Sequence, residues 1–559
     1  CASDNIYADV DGNHLPDMHH ARITAQTETH LSRMINKFLG YERNPYTAAN
    51  FYDEPLVACG WQDERWFQLC SEVIRGFFIN GLGKSPAREY AIYSGTPVVG
   101  GPWSTGPNTS TVVNYFYNLG WLPSLTNPYD ATWWSGGSAS GINAAINSGA
   151  FMVQHRDHGF EYGWGEPSYQ IGNLSGLTNE MLTFVNSSNC CTGNYTIATA
   201  CFTEAFHRMG SGALGLNAAT EVSYSFVNDT YVWGSYDAMW PQFMPGYPLY
   251  GTPVLGYSNL RPCMAMTSGK YFLQQSNWPY SSSVKTITYH LFHHHGDAFN
   301  IIYSEIPTSL TVSHAGRLIT TQTSFQVTAD DSAIIALTVN GEIIGVAEGT
   351  GAPVTINITP QPVGSIMKVT VTKFNHYRYE NDVPVVPSNY GFPTIASVAL
   401  SGIGTNGSIN PGETVGYGVY AKNMGTQTLQ SLYGLLSTTD PYATIPVDSS
   451  WFGTIAEFDS TRSTPDYSIV IANNCPNGHT IDLTLAFHDT NDSTWVYTPS
   501  VTVYAPLIIL ESAVVVGGAW DNGILDPSET ADLVISVTNQ GGAGAENVTA
   551  TLSTNSPGI

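Results

Sequence analysis

The chain has 559 residues, 42% of them hydrophobic and 12% aromatic, which is material for several cores, because single cores stop growing near roughly 250–300 residues. Only 11% are charged, and 19 basic against 44 acidic side chains give a net charge of -25. Abundant aromatics with little charge exclude a disordered chain, and an acidic surface without a Lys/Arg cluster excludes nucleic acid and anionic membrane surface as primary partners.

No apolar run approaches the roughly 18 residues of a membrane-spanning helix, so no membrane insertion is expected. The opening CASDNIYADVDGNHLPD lacks a basic-then-apolar leader, and any export signal is expected to have been removed. Few lysines, many Gly, Pro and Tyr, and paired acidic loops fit a secreted or cell-surface, extracellular protein that holds calcium. The eight cysteines (Cys1, Cys59, Cys70, Cys190, Cys191, Cys201, Cys263 and Cys475) are too few and scattered for a disulfide scaffold, and at least one is expected to be free and reactive.

In chain order, the first feature is Asp9-Val-Asp11-Gly-Asn13-His-Leu-Pro-Asp17. Oxygen side chains alternate around a glycine, as in calcium loops, so Asp9, Asp11, Asn13 and Asp17 are candidate calcium ligands. The twelfth position is His20, where an EF-hand has Glu, and a plain Asx-rich turn fits the same residues. A helix is expected after Thr27, with Leu31, Met34, Ile35 and Phe38 inward and Gly40 as its stop. A second runs from about Ser138 to Ile146, is closed by Gly149, and leads into an apolar strand, Ala150–Val153. Strand then helix recurs at Met181–Val185 and Cys201–Arg208. Such alternation predicts an α/β domain with a largely parallel sheet over 1–305. His293-His294-His295 sit on one strand, where neighbours face opposite ways and cannot chelate together.

From about Pro307 short β-branched strands with polar turns predict a β-sandwich over 306–390. The remainder repeats itself. Asn410-Pro-Gly-Glu-Thr matches Asp526-Pro-Ser-Glu-Thr, and Leu436-Ser-Thr-Thr-Asp-Pro matches Leu552-Ser-Thr-Asn-Ser-Pro, both offset by 116 residues. The expected units are a sandwich at 394–505 and an incomplete second copy at 506–559. Because half a sandwich leaves an apolar face open, Val534, Ile535 and Val537 are expected to be covered by further C-terminal modules or neighbouring subunits.

Two polar segments follow apolar strands. Ala150–Val153 runs into Gln-His-Arg-Asp-His158-Gly159, and Met181–Val185 runs into Asn-Ser-Ser-Asn-Cys190-Cys191-Thr-Gly193. In parallel α/β sheets, sites form at the carboxyl ends of strands. The 32-residue separation of His158 and Cys190 suits neighbouring strands, where an imidazole would activate the thiol. Gly159 would let the backbone approach a substrate carbonyl, its N–H joining that of Cys190 in an oxyanion hole. A hydrogen-bonded loop histidine with a buried cysteine fits the same spacing, and Cys190-Cys191 also fits a vicinal disulfide.

The residues His158-Gly159-x-Glu161-x-x-Trp164-Gly165, Leu177-Thr178-Asn179, Cys190-x-x-Gly193-x-Tyr195 and Cys201-Phe-x-Glu-Ala-Phe closely resemble the catalytic segments of gingipains, secreted cysteine endopeptidases of clan CD. Ser3-Asp4-x-x-Tyr7, Ala21-Arg22, Tyr41-Glu-Arg-Asn44 and Gly296-Asp297 extend the likeness, and the first sandwich looks like the immunoglobulin-like domain that follows the gingipain catalytic domain. The resemblance covers about residues 1–385. It implies a multidomain chain with a caspase/gingipain-like α/β domain followed by all-β immunoglobulin-like sandwiches. It further implies His158 as general base and acid, Cys190 as nucleophile with Cys191 as the alternative, and Gly159 and Cys190 N–H groups for the oxyanion. The family's acidic third residue maps to the loop after Pro55–Ala58, where Asp63 is the candidate. The gingipain acid for a basic P1 side chain falls near Trp66 or Phe67, so Arg or Lys specificity does not transfer. Strands expected before Ser3 are absent, which suits either an N-terminal fragment cleaved off or retained noncovalently, or a shortened start. The expected substrates are proteins or peptides, with no organic cofactor. The alternative is a non-catalytic extracellular structural, adhesion or assembly protein that keeps the peptidase fold, a reading supported by the doubled cysteine and the poorly matched third acid.

Overall fold

The computed structural model describes residues 2–106, 109–245, 260–278, 282–518, 520 and 523–555. The first part is built on strands β1 (Ala21–Arg22), β2 (Leu56–Gln62), β3 (Ala87–Ser94), β4 (Met152–Arg156), β5 (Gly159–Phe160), β6 (Gly163–Trp164), β7 (Tyr169–Gln170), β8 (Thr183–Ser188), β9 (Ala213–Ala219) and β10 (Phe292–His295). Its α-helices are α1 (Asn5–Ala8), α2 (Glu28–Arg43), α3 (Ala49–Asp53), α4 (Phe67–Gly76), α5 (Thr109–Asn118), α6 (Ala139–Ser148), α7 (Phe202–Arg208), α8 (Val227–Met239), α9 (Pro262–Gln275) and α10 (Ser282–Leu291). Seven strands form one sheet in the order β1-β10-β9-β8-β4-β2-β3. Every neighbouring pair is parallel except β10 with β9. β5, β6 and β7 form a small antiparallel sheet after β4.

Parallel strands need covering on both faces, and the period-two alternation of β2 shows it. Val57, Cys59 and Trp61 join the core with Val73 of α4 and Tyr231 of α8, whereas Leu56 and Ala58 join the one with Ile142 of α6 and Phe206 of α7. Local signals set the helix ends: Thr27 accepts the His30 N–H at α2, Ser138 accepts the Gly141 N–H at α6, and Gly149 closes α6 with φ 113°, a conformation that glycine adopts without Cβ strain.

Two expectations need correction. Helix α2 continues past Gly40 to Arg43, and it buries Met34, Lys37, Phe38 and Tyr41, while Leu31 and Ile35 are exposed. The buried Lys37 ammonium donates to the carbonyls of His207, Met209 and Ser211 at the end of α7, which accounts for a lysine on the inner face. The strands expected at 150–153 and 181–185 lie two to three residues later, so Gln154, His155, Arg156, Asn186, Ser187 and Ser188 are buried in the sheet. They satisfy one another: Asn186 Nδ2 donates to Gln154 Oε1 (2.9 Å), and Gln154 Nε2 to Ser188 Oγ (3.2 Å). An apolar criterion cannot find such a strand end.

Beyond residue 312 the described structure is β. A three-stranded sheet faces a five-stranded one between Ser313 and Val386, enclosing Phe325, Val327, Leu337, Val369 and Val383. A second two-layer unit between Pro393 and Val503 encloses Val415, Tyr417, Val419, Leu432, Phe452 and Phe487. The segment that follows pairs Ile508–Val516 with Asp532–Asn539, the same antiparallel pairing that joins Pro393–Ser401 to Thr414–Asn423 one repeat earlier. Leu533, Ile535 and Val537 are 40%, 41% and 50% exposed, while their counterparts Tyr417, Val419 and Ala421 are 0–1% exposed. The inward set of the repeat is therefore Leu533, Ile535 and Val537; Val534 corresponds to Gly418, on the other face of the strand beneath the Arg462 and Asp466 side chains.

Candidate active site

Strands β4 and β8 are adjacent and parallel, with Arg156 paired to Ser188 at their carboxyl ends. His158 and Cys190 each stand two residues beyond that pair, on one rim. The turn carrying Cys190 is fixed by a buried polar network. Ser187 Oγ lies 3.0 Å from Thr192 Oγ1 and accepts the Trp164 indole N–H at 2.9 Å. Asn189 Oδ1 accepts from Thr192 Oγ1 at 2.8 Å, and its Nδ2 lies 2.7 Å from His155 Nδ1. His155 stacks on Trp164 at 4.1 Å, and burial pushes its pKa down to about 3, so it is a neutral acceptor. Fully satisfied networks of this kind hold one geometry.

The two cysteines differ. Cys190 is half-buried, and its sulfur meets Ser223, whose backbone N–H points at it from 3.4 Å and whose Oγ is 3.7 Å away. Among the described residues the Cys190 N–H has no intramolecular acceptor. Cys191 is buried at a left-handed φ of 58°, its N–H donates to Glu221 O, and burial first, then the charge of neighbouring Cys190, pushes its thiol up to about 12. All seven cysteines among the described residues are free, so the pair forms no vicinal disulfide here. A Cβ on Gly159 would come within 2.8 Å of Cys190 O and 2.7 Å of Asn189 Oδ1; only glycine brings the two turns this close.

The His158 ring lies between Tyr93 and Phe67, with centroids 4.4 and 5.2 Å away. Its Nε2 is 2.7 Å from Gln62 Oε1; a carboxamide oxygen only accepts, so Nε2 carries the proton and Nδ1 is the basic nitrogen of the neutral ring. Burial first, then the Arg156 and Arg65 guanidinium charges, lower the His158 pKa. Asp63 is not brought to this ring. Its carboxylate accepts the Trp61 indole N–H at 2.7 Å and packs against Gly95. The segment Cys59–Gln62, expected as loop, is the end of β2, and successive strand residues face opposite ways, which turns Gln62 to the histidine.

Beneath the rim, buried Arg156 Nε meets Asp229 Oδ1 at 2.7 Å, and Nη1 donates to Ser188 O at 2.9 Å. Asp229 also accepts the Phe226 N–H at 2.8 Å, capping α8. Beside His158, burial raises the Asp157 pKa to about 7, although its carboxylate accepts the Glu166 N–H. Gln62, Ser223 and the Arg156–Asp229 pair carried no sequence signal of their own. In the N-terminal loop, carboxylate oxygens of Asp9, Asp11 and Asp17 lie within 4.8 Å of one another. Asn13 Oδ1 accepts the Leu15 N–H at 2.7 Å.

A half-buried thiol and an imidazole thus stand on adjacent strand ends of a parallel sheet. The sequence profile of peptidase family C25 matches residues 1–298, and the chain belongs to that family. It is similar to Lys-gingipain of Porphyromonas gingivalis, 23% identical over 424 residues, which is 71% of this chain and 20% of that protein. The chain thus spans about a fifth of the length of these relatives. Among solved structures, the Arg-specific cysteine proteinase gingipain R (RgpB) matches with TM-score 0.51 at 19% identity, covering 68% of this chain and 79% of that one. A complex of Porphyromonas gingivalis RgpB pro- and mature domains matches with TM-score 0.50 at 19% identity, covering 68% and 80%. These likenesses show a gingipain-like fold for the α/β part.

Proposed function

We propose that the protein is a secreted cysteine endopeptidase acting on proteins or peptides. The observation that carries this is the position of His158 and Cys190, each two residues past the paired Arg156 and Ser188. His158 takes the thiol proton as the Cys190 sulfur attacks the carbonyl carbon. The N–H groups of Cys190 and Gly159 receive the developing oxyanion. Collapse expels the amine, which takes the proton from His158 and leaves a thioester at Cys190. Water, deprotonated by His158, attacks that thioester and releases the carboxylic acid and the thiol. Cys191, buried and protonated, is the poorer nucleophile. The Asp9, Asp11 and Asp17 carboxylates would hold a structural calcium ion near the N-terminus.

Hydrolysis of a peptide library spanning all P1 residues tests the reading: cleavage by the reduced protein and its loss in Cys190→Ala supports it. A non-catalytic extracellular role is the second reading, favoured by the neutral Gln62 at the imidazole. Absence of cleavage at every P1 residue would favour it.

A further inference from the structure

We propose that Ser223 is a further catalytic residue, holding the Cys190 sulfur as thiolate, and that Asn228 is its positioning residue. The inference deepens the peptidase reading and rests on Cys190 as nucleophile, though its test needs no turnover. Three contacts join the two residues. The Ser223 N–H points at Sγ from 3.4 Å, Oγ lies 3.7 Å from Sγ, and the Ser223 carbonyl lies 3.7 Å away. As a thiol, Cys190 donates its S–H to that carbonyl. Once the proton moves to His158, the sulfur is acceptor only, and the N–H and hydroxyl of the same residue face it. Donors aimed at an anion lower its energy relative to the neutral form.

The hydroxyl is not free to turn elsewhere. Buried Asn228 donates its Nδ2–H to Ser223 Oγ at 2.6 Å, which occupies a lone pair and leaves the hydroxyl proton for sulfur. Asn228 lies in the first turn of α8, whose next residue, Asp229, is held by Arg156, and Arg156 in turn grips Ser188 O at the end of β8. Polar contacts thus run from the nucleophile through Ser223 and α8 back to the strand that carries the nucleophile.

The test is the rate of iodoacetamide alkylation of Cys190 in the full chain at about pH 6.5, localised by tandem mass spectrometry. Ser223 is half-buried, so Ser223→Ala removes the hydroxyl with little packing loss. The expected result is a fall of about three- to tenfold, restored by Ser223→Thr, with circular dichroism unchanged. Should Ser223→Ala fail to fold, Asn228→Ser reads the same contact from its far side, with a fall of at least about twofold. A folded variant alkylated at the wild-type rate overturns the proposal. If the wild type cleaves no peptide but Ser223→Ala still slows alkylation, the peptidase reading falls and the thiolate contact stands. If it cleaves peptides and alkylation ignores Ser223, the reverse holds.

Discussion

His158 Nε2 lies 2.7 Å from Gln62 Oε1, so the imidazole is oriented by a neutral carboxamide at the end of the neighbouring strand rather than by a carboxylate. An uncharged partner fixes the tautomer without stabilising the imidazolium. The ring, flanked by Tyr93 and Phe67 and near two arginines, is thereby held toward its neutral form, with Nδ1 as the acceptor nitrogen.

Removing the carboxamide frees the ring to rotate. Gln62→Ala should lower kcat/KM by about 10- to 100-fold, whereas Gln62→Glu should retain activity and shift the acid limb of the pH profile upward, because a carboxylate stabilises the protonated ring. Asp63→Asn, which leaves the His158 contact intact, should have the smaller effect. Steady-state kinetics of the three variants decide the matter, and an Asp63→Asn defect larger than that of Gln62→Ala would assign the orienting role to Asp63.

A histidine base loses activity as pH falls through its pKa. Because burial and the charges of Arg156 and Arg65 lower that value from 6.5, the acid limb of kcat/KM should lie below pH 6.5. Arg65→Gln removes one of the cationic contributions and should move the limb toward 6.5, by a few tenths of a unit for a partly solvated charge. A limb that stays put or moves down would contradict this.

Asp157 titrates in the opposite sense from a paired surface carboxylate. Its folded pKa is raised to about 7 from 3.8, chiefly by burial, so the protonated form is the one the fold favours. Its stabilising contribution is complete below about pH 4 and is lost as pH rises through about 7, at up to about 1.4 kcal/mol per unit. Asp237, raised to about 8, acts likewise. The melting temperature should therefore fall from about pH 4 to about 8, and Asp157→Asn should flatten that fall up to about pH 7. An unchanged slope in a folded Asp157→Asn protein would count against the buried, protonatable carboxyl.

The Asp9, Asp11 and Asp17 carboxylates lie within 4.8 Å of one another and accept loop N–H groups, Gly12 and His14 on Asp9 and Val10 on Asp17, and a cation among them would further offset their mutual repulsion. Calcium at about 100 times its dissociation constant would add about 2.7 kcal/mol to the native state. Added calcium should raise the melting temperature, excess chelator should reverse the rise, and Asp11→Asn should abolish most of it. An identical melting curve in calcium and in chelator would remove the site.

The alternating helices and strands, the helix starts near Thr27 and Ser138, and the 116-residue repeat are legible because each is written in local residue types. Cys190 and His158 are legible for a second reason: both follow strands at a polar-apolar boundary and lie within multi-part motifs. Gln62 is not, because its polar surroundings carry a loop pattern although it ends β2, and an uncharged amide carries no catalytic signature. Ser223 and the Arg156–Asp229 pair join segments far apart in sequence, so only the packing of α8 against the sheet brings them together. Polar residues inside β4 and β8 hid the true strand ends, since their pairing across strands replaces the apolar side chains that usually mark a buried strand.

Whether Cys190 is a nucleophile activated by His158 is decided by the intact mass and fragment map of the reduced, folded protein after exposure to peptidyl acyloxymethyl ketones covering every P1 residue. One adduct per chain on Cys190, strongly reduced in His158→Ala and insensitive to Cys191→Ser, is the predicted result. An adduct on Cys191, or none with any P1 residue while the fold is intact, would contradict it.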